Sequence, residues 1–495
     1  MLFTAAAFVL LFLPITFLGF FLLGRYRPGA AAVWLFLASL VFYGVWMPQY
    51  VLLLLASIVG NFWVGRRIAL SRGDTPASQA RAKPWLIFGV SANLALLAYY
   101  KYANFFVDNL NLLLGQHWHV ADILLPIGIS FFSFTQIAFL ADAYQKGVKE
   151  LRFSHYGLFV TYFPHLIAGP VLHHSQMMPQ FRDAQTYRLN SAHISAGLAI
   201  FALGLVKKLI LADGVAPYAD AVFKPVDAGL QASSGEAWLA ALAYTLQLYF
   251  DFSAYSDMAI GISLMFNVRL PFNFNSPYQA SNISEFWRRW HISLSNFLRD
   301  YLYIALGGNR RGAVRRYANL ATTMLLGGLW HGASWSFVLW GALHGLYLML
   351  NHGWRALCGP ARHQRLCALW PYRMLSWGLT LLCVIVAWVF FRAVTLEGAL
   401  SLLQSMFTPV ATDGHRLLWD AGLQHGTGML WCAALGAMAM LAPNSNRIGA
   451  RLEQWCQDSL RQRALILGAA LALVAAMVLL NTARSGVSAF IYFNF

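Results

Sequence analysis

Two histidines stand out in this sequence, one inside an apolar run that otherwise reads as membrane helix and one in an aromatic, arginine-bearing stretch before it. His331 lies in Leu329-Trp-His-Gly-Ala-Ser334, near the middle of an apolar run from 318 to 353, bracketed by Gly327, Gly328 and Gly332. His291 lies in Ser284-Glu-Phe-Trp-Arg-Arg-Trp-His-Ile-Ser-Leu-Ser295. Upstream, Asp251 and Asp257 punctuate Asp251-Phe-Ser-Ala-Tyr-Ser-Asp-Met-Ala-Ile-Gly261, and Gln247 shares a helical face with Asp251. At the bilayer centre an ionisable side chain costs about 2.5–3.5 kcal/mol on insertion scales, so such groups face water or a partner. An imidazole so placed can take a proton from a hydroxyl. The same carboxylates and histidines also suit the proton or substrate path of a transporter. A third use is structural, as a polar network that holds helices together.

The surrounding residues indicate what must position these groups. Asn282 followed at the third residue by Glu285 resembles a capping box, and Phe286, Trp290, Leu294, Phe297 and Leu298 then recur at helical spacing. An amphipathic helix is expected to begin there, with Glu285 in reach of Arg288 or Arg289 and His291 turned toward the aromatic face. Read without the histidine, this is an interfacial helix with a tryptophan belt and snorkelling arginines. The glycines beside His331 let a backbone bend or a substrate approach closely.

Composition sets the class. Of 495 residues 59% are hydrophobic and 11% charged, and mean hydropathy is +0.55. A soluble domain carries about 25% charged residues, so this chain lacks the polar surface of a water-soluble globule. Aromatics at 15% exclude a disordered chain, and the five cysteines have neither a disulfide framework nor metal-site spacing. No metal is expected. The net charge of +16 gathers beside apolar runs instead of forming a stripe on a polar domain, which argues against nucleic acid.

A crossing helix needs about 20 mostly apolar residues. Candidate spans lie near 2–24, 29–46, 51–65, 85–100, 126–144, 155–172, 193–212, 237–266, 318–353, 372–391, 427–442 and 464–481, so roughly ten to twelve crossings are expected, some tilted, broken or re-entrant around a cavity. The first run is too long for a signal-peptide core and is read as a retained span. Arg25 and Arg27 follow the first run, Arg66, Arg67, Arg72, Arg81 and Lys83 the third, and Lys146, Lys149 and Arg152 the fifth. By the positive-inside rule the amino terminus is expected outside the cytoplasm, in a multi-pass membrane protein. Residues 1–495 read as one membrane domain.

At these residues the sequence resembles the membrane-bound O-acyltransferases, in particular the bacterial branch that acetylates alginate. The blocks are Leu125-Pro-Ile-Gly-Ile-Ser-Phe-Phe132, Phe163-Pro-His-Leu-Ile-Ala-Gly-Pro170, Gly204-Leu-Val-Lys-Lys-Leu209, the aspartate and histidine segments above, and the tail Phe490-Ile-Tyr-Phe-Asn-Phe495. Ala254 and His165 depart mildly from the pattern, where relatives often have glycine and glutamine. The resemblance implies an all-α integral membrane bundle around a funnel or tunnel. It puts the family's essential histidine at His331 and its second site histidine at His291, with Trp330, Asp251, Asp257, Glu285, Arg288 and Asp300 as supporting residues.

That resemblance further implies acyl transfer without a bound cofactor, from acetyl coenzyme A or another acyl thioester on the cytoplasmic side. The acceptor would be an exopolysaccharide beyond the membrane, alginate first, then cellulose or another cell-envelope polymer. Acetyl would reach it directly or through a periplasmic acetyltransferase, and lipid and polysaccharide-synthesis proteins would be the partners. A polysaccharide-export component and a noncatalytic scaffold are the competing readings. The pairs His117/Asp122 and His415/Asp420 have a spacing that some soluble acyltransferases use, but chance supplies it in a chain with 14 histidines. No nucleophile elbow surrounds Ser334, which disfavours a serine acyl-enzyme.

Overall fold

A computed structural model describes residues 1–495 except 74, 121–122, 149–151, 168, 409–413, 415, 485–489 and 492–495. Asp122, His415, Lys149, Ala168 and most of the tail block therefore fall outside the described residues. Every regular element among those described is helical. The apolar runs leave no alternative, because in lipid a backbone must satisfy its N–H and C=O groups within its own segment or in a closed barrel. Among the described residues five helices carry an apolar stretch long enough to cross a membrane, Phe8–Tyr26, Pro48–Ser71, Ser191–Asp227, Trp370–Arg392 and Leu460–Thr482, and the bent pair His425–Leu441 and Ser445–Asp458 would make a sixth as one broken span. The protein is an all-α, multi-pass membrane protein.

The chain separates into two compact units, each assembled from discontinuous segments. The first contains Met1–Leu205, Tyr255–Pro271 and Gly449–Ala489. Its core is aromatic, with Phe8, Phe12, Phe42 and Phe163 in mutual ring contact. Polar pairs pin the surrounding helices. The Asn93 amide donates to Asn61 at 2.6 Å and the Gln136 amide to Ser57 at 2.8 Å. At Gly197 and Gly261 a Cβ on either residue would meet the other's carbonyl oxygen at 2.5 Å, so only glycine permits this approach. Between 155 and 172 the expected span is a short helix, Phe153–Thr161, followed by turns and loop. Pro164 and the Gly169-Pro170 pair, which disfavour continued helix, account for the difference.

The second unit contains Val206–Ala254, Phe272–Ile448 and Phe490–Phe495. Seven helices carry the histidine segments and their neighbours: α1 (Ser234–Met265, whose last part belongs to the first unit), α2 (Ile283–Arg289), α3 (Ile292–Phe297), α4 (Gly312–His331), α5 (Trp335–Cys358), α6 (Pro360–Ala368) and α7 (Trp370–Arg392). The run 318–353 is two helices, not one. It breaks at Gly332-Ala333-Ser334, and α4 and α5 form a hairpin. A Cβ on Gly332 would lie 2.1 Å from the Phe337 ring, so the glycine lets that ring close over the turn.

Small residues also set the hairpin's spacing. A Cβ on Gly328 would sit 2.3 Å from the Phe337 carbonyl oxygen, and one on Gly341 would sit 2.4 Å from that of Met324. Gly353, near the far end of α5, has nothing within 4 Å. Gly341→Ala should therefore destabilise by about 1–3 kcal/mol through overpacking. Gly353→Ala should be neutral or stabilising by about 0.5–1 kcal/mol, since alanine is the better helix former. Melting curves of the two purified variants in one detergent check the contrast.

Candidate active site

Residues 282–298 do not form the single amphipathic helix that their periodicity suggests. α2 ends at Arg289, and the chain turns at His291, whose φ of 43° and ψ of 54° are left-handed, before α3 begins. A non-glycine residue held there costs on the order of 1–3 kcal/mol, and such residues concentrate at functional sites. The segment 273–275 holds the break open. The Asn275 N–H donates to the Arg289 carbonyl at 2.9 Å, and the Ile292 N–H donates to that of Asn273 at 3.0 Å. The Ser293 hydroxyl donates to the Asn273 side chain at 2.7 Å. Asn446 in turn donates to the Phe274 carbonyl at 2.6 Å. These bonds satisfy backbone groups that a continuous helix would have paired internally.

Glu285 secures the start of α2 differently from the expected box. Asn282 accepts from the Glu285 N–H at 3.0 Å, but the Glu285 carboxylate receives the N–H and hydroxyl of Ser281, at 3.0 and 2.8 Å. Its ion pair is with Arg289 at 2.6 Å, one turn on. Arg288 points into the exposed surface. Burial pushes the Glu285 carboxyl up, but the Ser281 donors and the Arg289 guanidinium outweigh it and hold the group below its usual range.

The His291 ring meets the Phe252 ring edge-on at a centroid distance of 4.7 Å and lies 6.4 Å from Trp330. Trp330 is 4.9 Å from His331, whose ring is enclosed further by Trp340 and Phe391, each at 5.0 Å. His291, Trp330 and His331 are all buried. Two histidine-bearing stretches 40 residues apart are thus brought to one tryptophan.

His344 carries no expectation from the sequence, and it belongs to the same aromatic cluster. It is fully buried, 4.8 Å from Trp340, and its Nδ1 accepts the Trp287 indole N–H at 3.3 Å. Helical spacing on α5 carried the signal, because Phe337, Trp340, Gly341 and His344 share the face turned inward.

The aspartates separate. Asp251 is buried and accepts Lys208 Nζ at 2.7 Å, while the same ammonium reaches Asp213 at 2.9 Å. Its other oxygen accepts the Ile491 N–H at 2.8 Å, which ties down the chain next to Phe490. Phe490 packs on Phe252, the neighbour of His291, at 5.7 Å. Asp251 is thus linked to the histidine cluster through Ile491 and Phe490. Asp257 is buried on the part of α1 that belongs to the first unit. Asp300 is partly exposed and pairs with the adjacent Arg299 at 2.7 Å.

Residues 85–396 match the model of MBOAT, the membrane-bound O-acyltransferase family. The chain belongs to this family. It is 44% identical over 433 residues to the peptidoglycan O-acetyltransferase of Helicobacter pylori, covering 82% of this chain and 80% of that protein. It is 45% identical over 415 residues to the probable alginate O-acetylase AlgI of Azotobacter vinelandii, covering 82% and 78%. The corresponding protein of Pseudomonas putida is 44% identical over 418 residues, with 82% and 80% covered. Like its family, the protein is a membrane O-acyltransferase.

The site's supports can be tested at two points. Lys208→Met leaves the buried Asp251 and the partly buried Asp213 without their cation and should cost about 3–5 kcal/mol, read as lost membrane abundance and a lowered melting temperature. Adding Asp213→Asn and Asp251→Asn should recover part of that loss. Glu285→Gln should cost about 1 kcal/mol, the scale of a helix cap. Because Glu285 is held low in the fold, its contribution is present above the ordinary carboxylate range and is lost as pH falls through the lowered value. Acid melting curves of wild type and Glu285→Gln should therefore converge as pH drops.

Proposed function

We propose that this acyltransferase moves an acetyl group from a cytoplasmic thioester, acetyl coenzyme A or a carrier-bound equivalent, to a hydroxyl of a cell-envelope polysaccharide. The observation that carries this reading is the pairing of two buried histidines around Trp330, in a protein of this family. His331 acts as general base. Its neutral imidazole takes the acceptor hydroxyl's proton while the oxygen attacks the thioester carbonyl carbon. The tetrahedral intermediate then expels the thiolate, which leaves as a thiol with the proton returned by the imidazolium. His291 orients the reactants or donates to the developing oxyanion.

Alginate is the acceptor favoured by the probable alginate O-acetylases of Azotobacter and Pseudomonas. Peptidoglycan is the second reading, supported by the similarly close Helicobacter relative. The acetyl group passes to the polymer directly or through a periplasmic acetyltransferase. The amino terminus lies on the periplasmic side of the inner membrane, and the acceptor is met there, as the basic clusters after alternate apolar runs suggest.

His331→Ala should lower acetyl transfer by about 10²–10⁴-fold with near-normal membrane abundance, the scale of a lost general base. The assay follows label from acetyl coenzyme A into alginate or peptidoglycan supplied to reconstituted protein. Wild-type transfer by a well-expressed His331→Ala protein would remove the histidine from the mechanism. Cysteine labelling after residues 48 and 66, on a cysteine-free background, should reach opposite sides of the membrane.

A further inference from the structure

The second unit holds a cavity of about 510 Å³ between α5, α6 and α7 and the start of α2. Its lining is split by chemistry along the helices. Tyr347 and Leu350 on α5 and Leu375 and Leu379 on α7 form an apolar slot, while Arg355, His363 and Arg373 stand toward the α6 end. Arg355 follows Tyr347 by eight residues, a helical rise of about 12 Å, so the cationic and apolar parts are separated along one axis.

The charges are unanswered from within. No Asp or Glu lines the cavity among the described residues. Arg355 and Arg373 have no ion pair there, and the Arg355 Nε is buried without a hydrogen-bond partner. A buried guanidinium nitrogen left without an acceptor is costly, which calls for an anion. Trp354 donates its indole N–H to the Tyr372 hydroxyl at 2.9 Å at the cationic end, and Ser281, Asn282 and Asn351 add polar groups nearby. The α7 wall of the slot is open, with Leu375 71% and Leu379 58% exposed, which on a membrane protein marks a lipid-facing side.

We infer that this cavity is a binding site for an anionic phospholipid, with the phosphate held between Arg355, His363 and Arg373 and part of one acyl chain lying in the slot between α5 and α7. A soluble phosphate would satisfy the arginines but leave the slot without a partner. A zwitterionic lipid would bring its own cation against them. Basic pockets between membrane helices are the general form of such headgroup sites. The inference concerns binding outside the histidine cluster and stands whatever the acceptor sugar is.

The test uses the full-length protein in a neutral detergent, with its melting temperature followed during titration with phosphatidylglycerol, phosphatidylcholine, glycerol 3-phosphate or coenzyme A. Phosphatidylglycerol should raise the melting temperature at lower concentration than phosphatidylcholine, and the other two should have no effect. Arg355→Gln/Arg373→Gln should weaken the apparent affinity on the order of tenfold or more. Leu379→Trp, which keeps the charges and fills the slot, should weaken it too. Equal shifts with both lipids, or an undiminished shift in the double variant, would overturn the site. A shift reproduced by glycerol 3-phosphate would reduce it to a phosphate site, and one reproduced by coenzyme A would make it a donor site, each overturning the lipid assignment. If the variants do not fold, native mass spectrometry of the wild type decides: phosphatidylglycerol should co-purify above its share of the membrane extract, and a bulk ratio counts against the site.

Discussion

The left-handed turn at His291 is the constraint on which the site's arrangement depends. Left to its hydrophobic period, the stretch from 282 to 298 would continue as one helix and carry His291 around its surface with every 3.6-residue turn. The 273–275 segment prevents this by taking the backbone hydrogen bonds that the helix would have used. It contributes Asn273 as both a main-chain and a side-chain acceptor, and Asn446 fixes the segment itself. The strain at one residue is thus met by bonds from two separated parts of the sequence, and the imidazole is left between Phe252 and Trp330. An isolated peptide with this sequence would have no reason to turn there.

Buried charge supplies the second constraint. An ammonium between two carboxylates in an apolar unit is tolerable only if each oxygen and proton finds a partner, and the Ile491 N–H serves one Asp251 oxygen. That bond ties residues 251 and 491, far apart in the chain, beside the aromatic neighbour of His291. Such a cluster adds little net stability relative to well-packed apolar residues. What the cluster does fix is a contact, since the Asp251 carboxylate is where the Ile491 N–H docks.

Several features were legible in the sequence because they depend on local composition. The membrane class came from the scarcity of charge, the family from long blocks around His291 and His331, and the α4–α5 break from the glycines beside His331. What was not legible depends on partners distant in the chain. The period of Phe286, Trp290, Leu294 and Phe297 is helical and correctly marks the inward face, yet it carries no record of Asn273, so the break at His291 was invisible. Glu285 had two arginines within a turn, and only the position of Ser281 and the exposure of Arg288 decide for Arg289. Asp251 and Asp257 look alike in sequence, but the chain separates them into different units. His344 had the right spacing, but an isolated histidine on an aromatic face is ordinarily a core residue, so spacing alone did not mark it.

The aromatic enclosure of His331 also bears on how a base can be oriented at membrane depth. Its ring meets Trp330, Trp340 and Phe391 at interplanar angles of 75°, 84° and 73°. Edge-to-face contacts of this kind contribute about 0.5–1.5 kcal/mol each beyond their buried area. Together they fix the plane of the imidazole, and with it the direction in which a ring nitrogen can reach a hydroxyl. Proton abstraction depends steeply on that direction, since an error near 1 Å can cost about 10²-fold in rate. Under the proposed mechanism, these buried tryptophans are what aims the histidine. If His331 is the base proposed, a change that merely loosens Trp340 or Phe391 would act on chemistry without touching a titratable group.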